Sequence, residues 1–446
     1  MVDMTEGKAF PHLFRYALPI LLGNWLQLAY NAVDSIIAGR FIGRDALAAE
    51  GIAGPVMNLI ILFITGLCIG SGVLMSEAFG AKNYKRLKES QATLLLFGLV
   101  SSLIISFAAV LLSPYILRSL SVPDEIFSIT NTYLRIIFLG TPFTFCYNAL
   151  AAGLKSVGDS KTPLKFLAFS AVLNAVLDII FLGIFRFGIV CSALTTVIAE
   201  AISAFLALRH MVKYEKELCP QSTDLHIKKE LLRPILSYGG PTALQQAIQP
   251  IGKVLIQSQV NALGVNVIAA FNAVTRVDDF ACIPEQGIAT AIATYIAQNR
   301  GADKKARIRE GFRCGIFMEL SYWALIAIVT YAFKRPIVSM FVSGGAAAEV
   351  IANGTAYLSL MAFFYIFPAL TNGFQGFYRG MGKMYTTMAG TFIQTSVRTV
   401  CTFILAPLYG ISGIAISCAI GWTLMLIFEI PYYFITCRKR GLNRLC

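Results

Sequence analysis

The sequence predicts an all-α membrane protein with twelve transmembrane helices in two six-helix lobes. The first observation is composition: of 446 residues, 57% are hydrophobic and only 14% are charged, and mean hydropathy is +0.68. A soluble domain carries about a quarter charged residues, so most of this surface cannot face water. The second is that apolar stretches of about 20 residues, the length that spans a bilayer, recur along the whole chain. The third is an internal repeat.

The apolar stretches predict helices near 12–39, 46–74, 91–117, 126–153, 163–184, 188–210, 233–260, 267–297, 313–333, 345–377, 385–407 and 410–436. The polar stretch between the sixth and seventh helices is too short for a folded module. We therefore expect an N-terminal lobe over 1–210, a cytoplasmic linker over 211–232 and a C-terminal lobe over 233–446.

Lysine and arginine are distributed unevenly among the predicted loops. They concentrate in alternate loops, within 82–88, 155–165, 213–233, 300–309, 379–383 and 438–444. The opposite loops carry only Arg40, Arg44, Arg118, Arg186, Lys334 and Arg335. Because positively charged loops stay inside, both termini are expected on the cytoplasmic side of the cell membrane. The net charge of +13 is thereby explained without a nucleic-acid partner.

The two halves of the chain contain matching segments in the same order. Gly80–Lys82, after the second helix, matches Gly301–Asp303 after the eighth. Lys155–Gly158, after the fourth helix, matches Arg379–Gly382 after the tenth. Six helices per half, with matched loops on the same side, indicate a parallel repeat about an axis along the membrane normal.

Several polar residues interrupt the apolar segments of the first half, where ionisable groups are costly and indicate a site. Asp34 lies in helix 1, Asn174 and Asp178 in helix 5, and Thr196 and Glu200 in helix 6. Asn174 and Asp178 are four apart and share a helix face. The predicted helix ends put Asp34, Asp178 and Thr196 at similar depth, roughly 8–12 Å below the outer surface.

These side chains suit a proton or a hard monovalent cation, since a carboxylate can carry a proton and oxygen atoms can replace the hydration shell of sodium. We therefore predict a cation-coupling site, and a Na⁺ ligand set if coupling uses sodium, formed by Asp34, Asn174, Asp178 and Thr196. No cofactor beyond the coupling ion is expected. The alternative is that Asp34 and Asp178 are structural, paired with backbone or lining a water-filled vestibule.

The chain resembles the multidrug and toxic compound extrusion (MATE) family, and looks closer to its DinF-like branch. The resemblance is carried by Asp34, Gly39–Gly43, Leu47–Ala49, Gly158–Pro163 and the Asn174, Asp178, Thr196 set. It implies a V-shaped pair of six-helix lobes around a central substrate cleft. It also implies that Asp34, Asn174, Asp178 and Thr196 form a first-lobe cation site, protonated or sodium-bound.

The second half departs from that family pattern. Some members carry essential acids in helices 7 and 10, whereas here helix 7 offers Gln245, Gln246 and Gln249, and helix 10 has only Glu349 near its start. Coupling through a second-lobe carboxylate is therefore not expected.

Two further groups of residues are candidates for the substrate and for gating. Candidate substrate-cleft residues are Gln27, Tyr30, Asn31 and Gln249. Lys253 in helix 7 and Arg398 in helix 11 are candidate gating charges at nearly the depth of the acids. Each needs a partner at that depth. The options are a first-lobe carboxylate, the amides of Gln249 or Gln257, an anionic substrate, or a local group within the second lobe.

The predicted function is a secondary antiporter that exports organic cations, drugs or toxic metabolites in exchange for H⁺ or Na⁺. Its expected partners are small amphipathic or cationic molecules and the lipid bilayer, with the protein a monomer. The main alternative is a lipid or polysaccharide-precursor flippase, which Lys253 and Arg398 keep open. A passive channel is disfavoured because the acids cluster at one depth. An intramembrane enzyme is disfavoured because GxGD, HExxH and nucleophile-elbow motifs are absent.

Overall fold

The computed structural model describes residues 2–41, 44–185, 187–220, 224, 226–341 and 347–439. The side chains of residues 31, 34–36, 38–40, 44–47, 347 and 439 lie outside this description. The first six helices are α1 (Ala9–Phe41), α2 (Arg44–Gly80), α3 (Tyr84–Ser119), α4 (Asp124–Ser156), α5 (Lys161–Asp178) and α6 (Ile189–Tyr214). Helix α5 continues directly into a π-helical segment, Ile179–Ile184.

The remaining helices are α7 (Lys229–Asn261), α8 (Val265–Gly301), α9 (Lys305–Ser339), α10 (Ala347–Phe364), α11 (Ile366–Gly380) and α12 (Met384–Lys439). Helices α10 and α11 meet at a bend of 42° and together cover the predicted tenth segment. Helix α12 covers the last two predicted segments and is interrupted at Gly410, whose φ of 57° and ψ of −138° are non-helical. Glycine adopts such a conformation without the steric cost that a side chain brings.

Seven helices in the described part of the chain are long and apolar enough to cross a membrane: α2 to α6, α9 and α12. The bent pair α10–α11 is an eighth if taken as one span. The α12 span has 55 residues, which at ~1.5 Å per residue is more than twice a hydrocarbon core of ~30 Å. The break at Gly410 therefore separates two passes. The predicted all-α, multi-pass membrane fold is confirmed.

The chain forms two compact units. Unit 1 contains Met1–Asp3 and Leu22–Ala243, and unit 2 contains Met4–Leu21 and Leu244–Cys446. The first turns of α1 therefore pack with unit 2, where the Tyr16 hydroxyl lies 3.2 Å from that of Thr294.

Within each unit one pass is central. In unit 1, α4 packs against α2, α3 and α6, and in unit 2 the bent pair α10–α11 packs against α8, α9 and α12. Glycines permit the close approach, as in other membrane helix bundles. In unit 1, Gly98 of α3 faces the ring of Phe145 on α4. In unit 2, a Cβ at Gly376 of α11 would lie 2.7 Å from the Ala289 carbonyl oxygen on α8.

Candidate functional site

The polar group predicted for helices 5 and 6 is assembled in unit 1. Asp178 is the last α-helical residue before the π-helical segment, a distortion often found at functional sites. Its side chain is fully buried, and the Thr195 hydroxyl on α6 donates a hydrogen bond to Oδ1. A buried carboxylate without such donors would be costly.

Asn174, one turn earlier on α5, links the carboxylate to the rest of the group. Its amide orientation is assigned from its neighbours: Nδ2 donates to Asp178 Oδ2 at 3.0 Å and lies 3.1 Å from the Tyr30 hydroxyl. Its oxygen then accepts from the Thr196 backbone amide at 3.1 Å and from the Thr196 hydroxyl at 3.3 Å. Asn174, Asp178 and Thr196 thus lie together, with Thr195 and Tyr30 beside them.

The fourth residue predicted for the cation site, Asp34, belongs to helix α1. Its side chain, and that of the candidate cleft residue Asn31, lie outside the described part of the structure. In the backbone, Asp34 is seven residues before the end of α1, Asp178 six before the end of the π-helical segment, and Thr196 seven after the start of α6. Those distances from the helix ends agree with the similar depth expected from the sequence. Gln27 is exposed, one turn before Tyr30.

The donor set of this group suits a proton or a small monovalent cation. It offers carboxylate, hydroxyl and amide oxygens, the ligands of hard cations, and contains neither a thiolate nor an imidazole among its described members. With its nitrogen toward Asp178 the Asn174 amide suits a carboxylate or a proton, and with its oxygen toward Asp178 it would supply a ligand for sodium.

The polar side of α6 extends beyond this group. The Ser192 hydroxyl donates to Oε1 of Glu50 on α2 at 3.4 Å. One turn after Thr196, Glu200 is half-buried and its Oε2 accepts a hydrogen bond from the Thr144 hydroxyl on α4. Glu50, Asp178 and Glu200 therefore each accept a hydrogen bond from a hydroxyl group on a neighbouring helix.

In unit 2, each candidate gating charge lies near an acid of α8. Lys253 Nζ forms a 2.9 Å ion pair with Asp279 Oδ1. Asp278 Oδ2 accepts from the Tyr357 hydroxyl at 2.7 Å and Oδ1 accepts from Tyr365 at 2.6 Å, and Arg398 forms no ion pair with it within 4 Å among the described residues. Lys253 therefore has a local partner within the second unit.

The other named polar residues of unit 2 have different surroundings. Gln257 donates to Asn261 at 2.9 Å and Gln249 is exposed. Gln245 of α7 is fully buried and donates to Gln375 Oε1 at 2.8 Å and to Thr391 Oγ1 at 2.9 Å. This last contact set joins α7 to α11 and α12 by polar side chains.

Sequence reasoning missed the acids of α8 and their neighbours. These are Asp278, Asp279 and Glu285 of α8, Glu319 of α9 and Glu429 of α12, all in unit 2. An ionisable residue in an apolar segment indicates a site, and that signal could have found them. The family pattern pointed elsewhere, because it places second-lobe acids in helices 7 and 10.

Comparisons with known proteins agree with this architecture. The family model MatE matches residues 19–180 and 241–404. The chain is 31% identical over 434 residues to the probable multidrug resistance protein YpnP of Bacillus subtilis, covering 97% of this chain and 96% of that protein. It is 21% identical to the multidrug export protein MepA of Staphylococcus saprophyticus, covering 94% of this chain and 92% of that protein.

Solved structures share the fold. One, described as the outward-facing conformation of a multidrug resistance MATE family transporter of the MOP superfamily, has a TM-score of 0.93 at 20% identity, covering 99% of both chains. A MOP superfamily transporter from Pyrococcus furiosus has a TM-score of 0.91 at 20% identity, covering 98% of both. With a family model over most of its length and a relative of 31% identity over nearly all of it, this chain belongs to the MATE family of membrane transporters.

Proposed function

We propose that this transporter is a secondary antiporter that exports small amphipathic or cationic molecules in exchange for H⁺ or Na⁺. The observation that carries the proposal is Asp178, a fully buried acid with hydrogen-bond donors from Thr195 and Asn174. An acid in this setting is an expected place for a coupling cation, since binding one removes a costly buried charge. The relatives' names, a multidrug resistance protein and a multidrug export protein, support drugs as the substrate class.

In this proposal Asp34 and Asp178 carry the coupling cation, and Asn174 and Thr196 are neutral ligands. The hydroxyl and amide contacts hold the ionised carboxylate between turnovers. Cation binding weakens those contacts and so alters how α5 and α6 are held, which links ion occupancy to conformation. The candidate cleft residues Gln27, Tyr30, Asn31 and Gln249 keep the substrate role expected from the sequence. The protein is proposed to act as a monomer in the cytoplasmic membrane with both termini inside.

Efflux from proteoliposomes tests the proposal directly. A fluorescent cationic dye is followed under a proton gradient alone and then under a sodium gradient alone, so that the coupling ion is read from which gradient drives transport. Asp178→Asn and Asp34→Asn are expected to reduce gradient-driven efflux to the rate of leakage. Glu349→Gln, an exposed acid bonded to Asn266 at 2.6 Å, is the matched control and keeps normal efflux. Gradient-driven efflux by a well-folded Asp178→Asn protein contradicts the proposal.

A flippase for anionic lipid or polysaccharide precursors is the second candidate. A Pyrococcus furiosus neighbour of the same fold is described as having a binding pocket of reverse polarity that suggests a different function, so the fold alone does not fix the function. Lys253 and Arg398 are the residues that keep this candidate open. Against it, the positive charge of Lys253 is paired with Asp279. Translocation of a labelled anionic lipid with no dye efflux would decide for the flippase.

A further inference from the structure

Two glutamates of unit 2 lie side by side at the centre of their helices. Glu285 of α8 and Glu319 of α9 are 1% and 0% exposed. Both side chains lie against adjacent residues of α11: Glu285 contacts Asn372, and the Glu319 Cγ lies 3.8 Å from a Cβ placed at Gly373. Each lies fourteen or more residues from either end of its helix, which is at least roughly 20 Å at ~1.5 Å per residue. Both carboxyl groups are therefore near mid-depth in the membrane.

The two carboxyl groups differ in their hydrogen bonds. Glu285 Oε2 accepts from Asn372 Nδ2 on α11 at 3.3 Å. Both oxygens of Glu319 are buried and have no hydrogen-bond partner in the described part of the chain. On α11, Gly373 lies beside this acid: a Cβ there would be in ordinary contact with the Glu319 Cγ at 3.8 Å, whereas it would lie only 2.4 Å from the Ile316 Cδ1. The Glu319 carboxyl group is therefore packed in the protein interior without a hydrogen bond to any described residue.

The surrounding groups supply no positive charge among the described residues. The titratable neighbours are Cys282 of α8 and Tyr322 of α9, and α11 contributes the Asn372 amide. Pro284 lacks an N–H, which frees the Phe280 carbonyl four residues earlier. The Tyr322 hydroxyl lies 3.3 Å from that carbonyl oxygen and donates to it, so its proton is directed away from Glu319.

These features require a cation at the pair. Two ionised carboxylates side by side would repel each other, and each would bear the cost of a bare charge in an apolar interior. A lone buried acceptor without a donor adds a further penalty. A proton on Glu319 removes one charge and provides the missing donor, facing Glu285, which already has a donor in Asn372. Sodium fits less well, because the Asn372 amide presents its nitrogen, and not its oxygen, to Glu285.

We propose that Glu285 and Glu319, with Asn372, form a second proton-binding site of the transporter, in unit 2 and distinct from the group around Asp178. The two acids of this site are on α8 and α9. The family pattern places second-lobe acids in helices 7 and 10, so the site uses the two helices between them. It deepens the antiport function proposed above and rests on it for the claim that the proton is used in coupling. The proton-binding claim itself stands independently.

The binding claim is tested by infrared difference spectroscopy of the full-length protein in nanodiscs. Asp34→Asn/Asp178→Asn serves as the background, so that the first site contributes nothing to the spectrum. The spectrum of this background protein is expected to contain the C=O stretching band of a protonated carboxyl group, which shifts in D₂O. Adding Glu319→Gln is expected to remove this band. Adding Glu349→Gln in its place leaves the band unchanged. If Glu319→Gln does not fold, Glu285→Gln/Glu319→Gln is used in the same way.

Two spectroscopic results overturn the proposal. One is a carboxyl band that is identical with and without Glu319→Gln. The other is a band that disappears when NaCl replaces choline chloride at constant pH, which would make the site a sodium site.

The coupling claim is tested by proton-driven dye efflux with Asp34 and Asp178 intact. Glu319→Gln is expected to lower the rate at least tenfold. Normal efflux together with loss of the band overturns the coupling role of the pair. Normal efflux by Asp178→Asn would contradict the proposed function, in which Asp178 carries the coupling cation. It would not change the infrared result for Glu319, so failure of the proposed function and failure of the second site can be told apart.

Discussion

Lys253 and Arg398 of unit 2 look alike in the sequence, but we expect their substitution to lower the stability of the protein by different amounts. The Lys253 and Asp279 side chains are 64% and 37% exposed, so their ion pair resembles a surface pair. Such pairs contribute about 0–1 kcal/mol. Lys253→Gln is therefore expected to leave stability nearly unchanged.

Arg398 has a more enclosed environment. It is half-buried, and its Nε is buried with no hydrogen-bond partner among the described residues. The nearby Asp278 carboxylate accepts from Tyr357 and Tyr365, both fully buried, so it is held in place and cannot turn to water. Arg398 forms no ion pair with it within 4 Å in the described part of the chain, so its loss should cost less than the roughly 3–5 kcal/mol of breaking a fully buried ion pair. We expect Arg398→Gln to cost about 2 kcal/mol, because it removes the positive charge closest to a fixed carboxylate.

The assay is the apparent unfolding temperature of purified protein in one detergent, read by a thiol-reactive dye that reports exposure of buried cysteines. Arg398→Gln should lower it clearly and Lys253→Gln should not. Adding Asp278→Asn to Arg398→Gln should recover at least half of the loss, because it removes the uncompensated charge. An equal loss in the two single variants, or no recovery in the double variant, would refute this assignment of partners.

Two further outcomes are expected in unit 1. Gly98→Ala should destabilise the protein by about 1–3 kcal/mol, because the added methyl group would overlap the Phe145 ring, and Phe145→Leu should relieve the loss. Gly240→Ala, with nothing within 4 Å of the new Cβ, is its control in the same unfolding assay. Thr195→Val should slow dye efflux roughly tenfold or more and Thr196→Val only a few-fold, since Thr195 donates to a carboxylate and Thr196 contacts a neutral amide. Equal efflux rates for the two valine variants would contradict the prediction that the Thr195 hydrogen bond to Asp178 matters more than the Thr196 contact.

The first-unit group was accessible from the sequence because its signals are local. Asn174 and Asp178 are four residues apart, and a helix alone puts them on one face. The cost of an acid in hydrocarbon is likewise a property of one residue in its segment. Sequence reasoning could not separate Thr195 from Thr196, because adjacent residues point about 100° apart and only the packing of α6 against α5 decides which one meets the carboxylate.

The bilayer made the class of fold readable from composition and segment length, since each pass must satisfy its backbone within a helix. Segment length also predicted the boundary between 385–407 and 410–436, where Gly410 interrupts α12. The 42° bend between α10 and α11 was not readable in this way, since the sequence predicts a single segment over 345–377. The bend depends on how neighbouring helices pack around it.

The sequence by itself determined that this chain is a helical membrane protein with buried acids in its first half. Only the tertiary structure decided which polar side chains meet: Lys253 with Asp279, Tyr357 with Asp278, and Asn372 with Glu285. The members of each pair lie on different helices and are 26 or more positions apart. Their meeting depends on the rotation and offset of whole helices, which are set by close packing of many small contacts and not by any single residue.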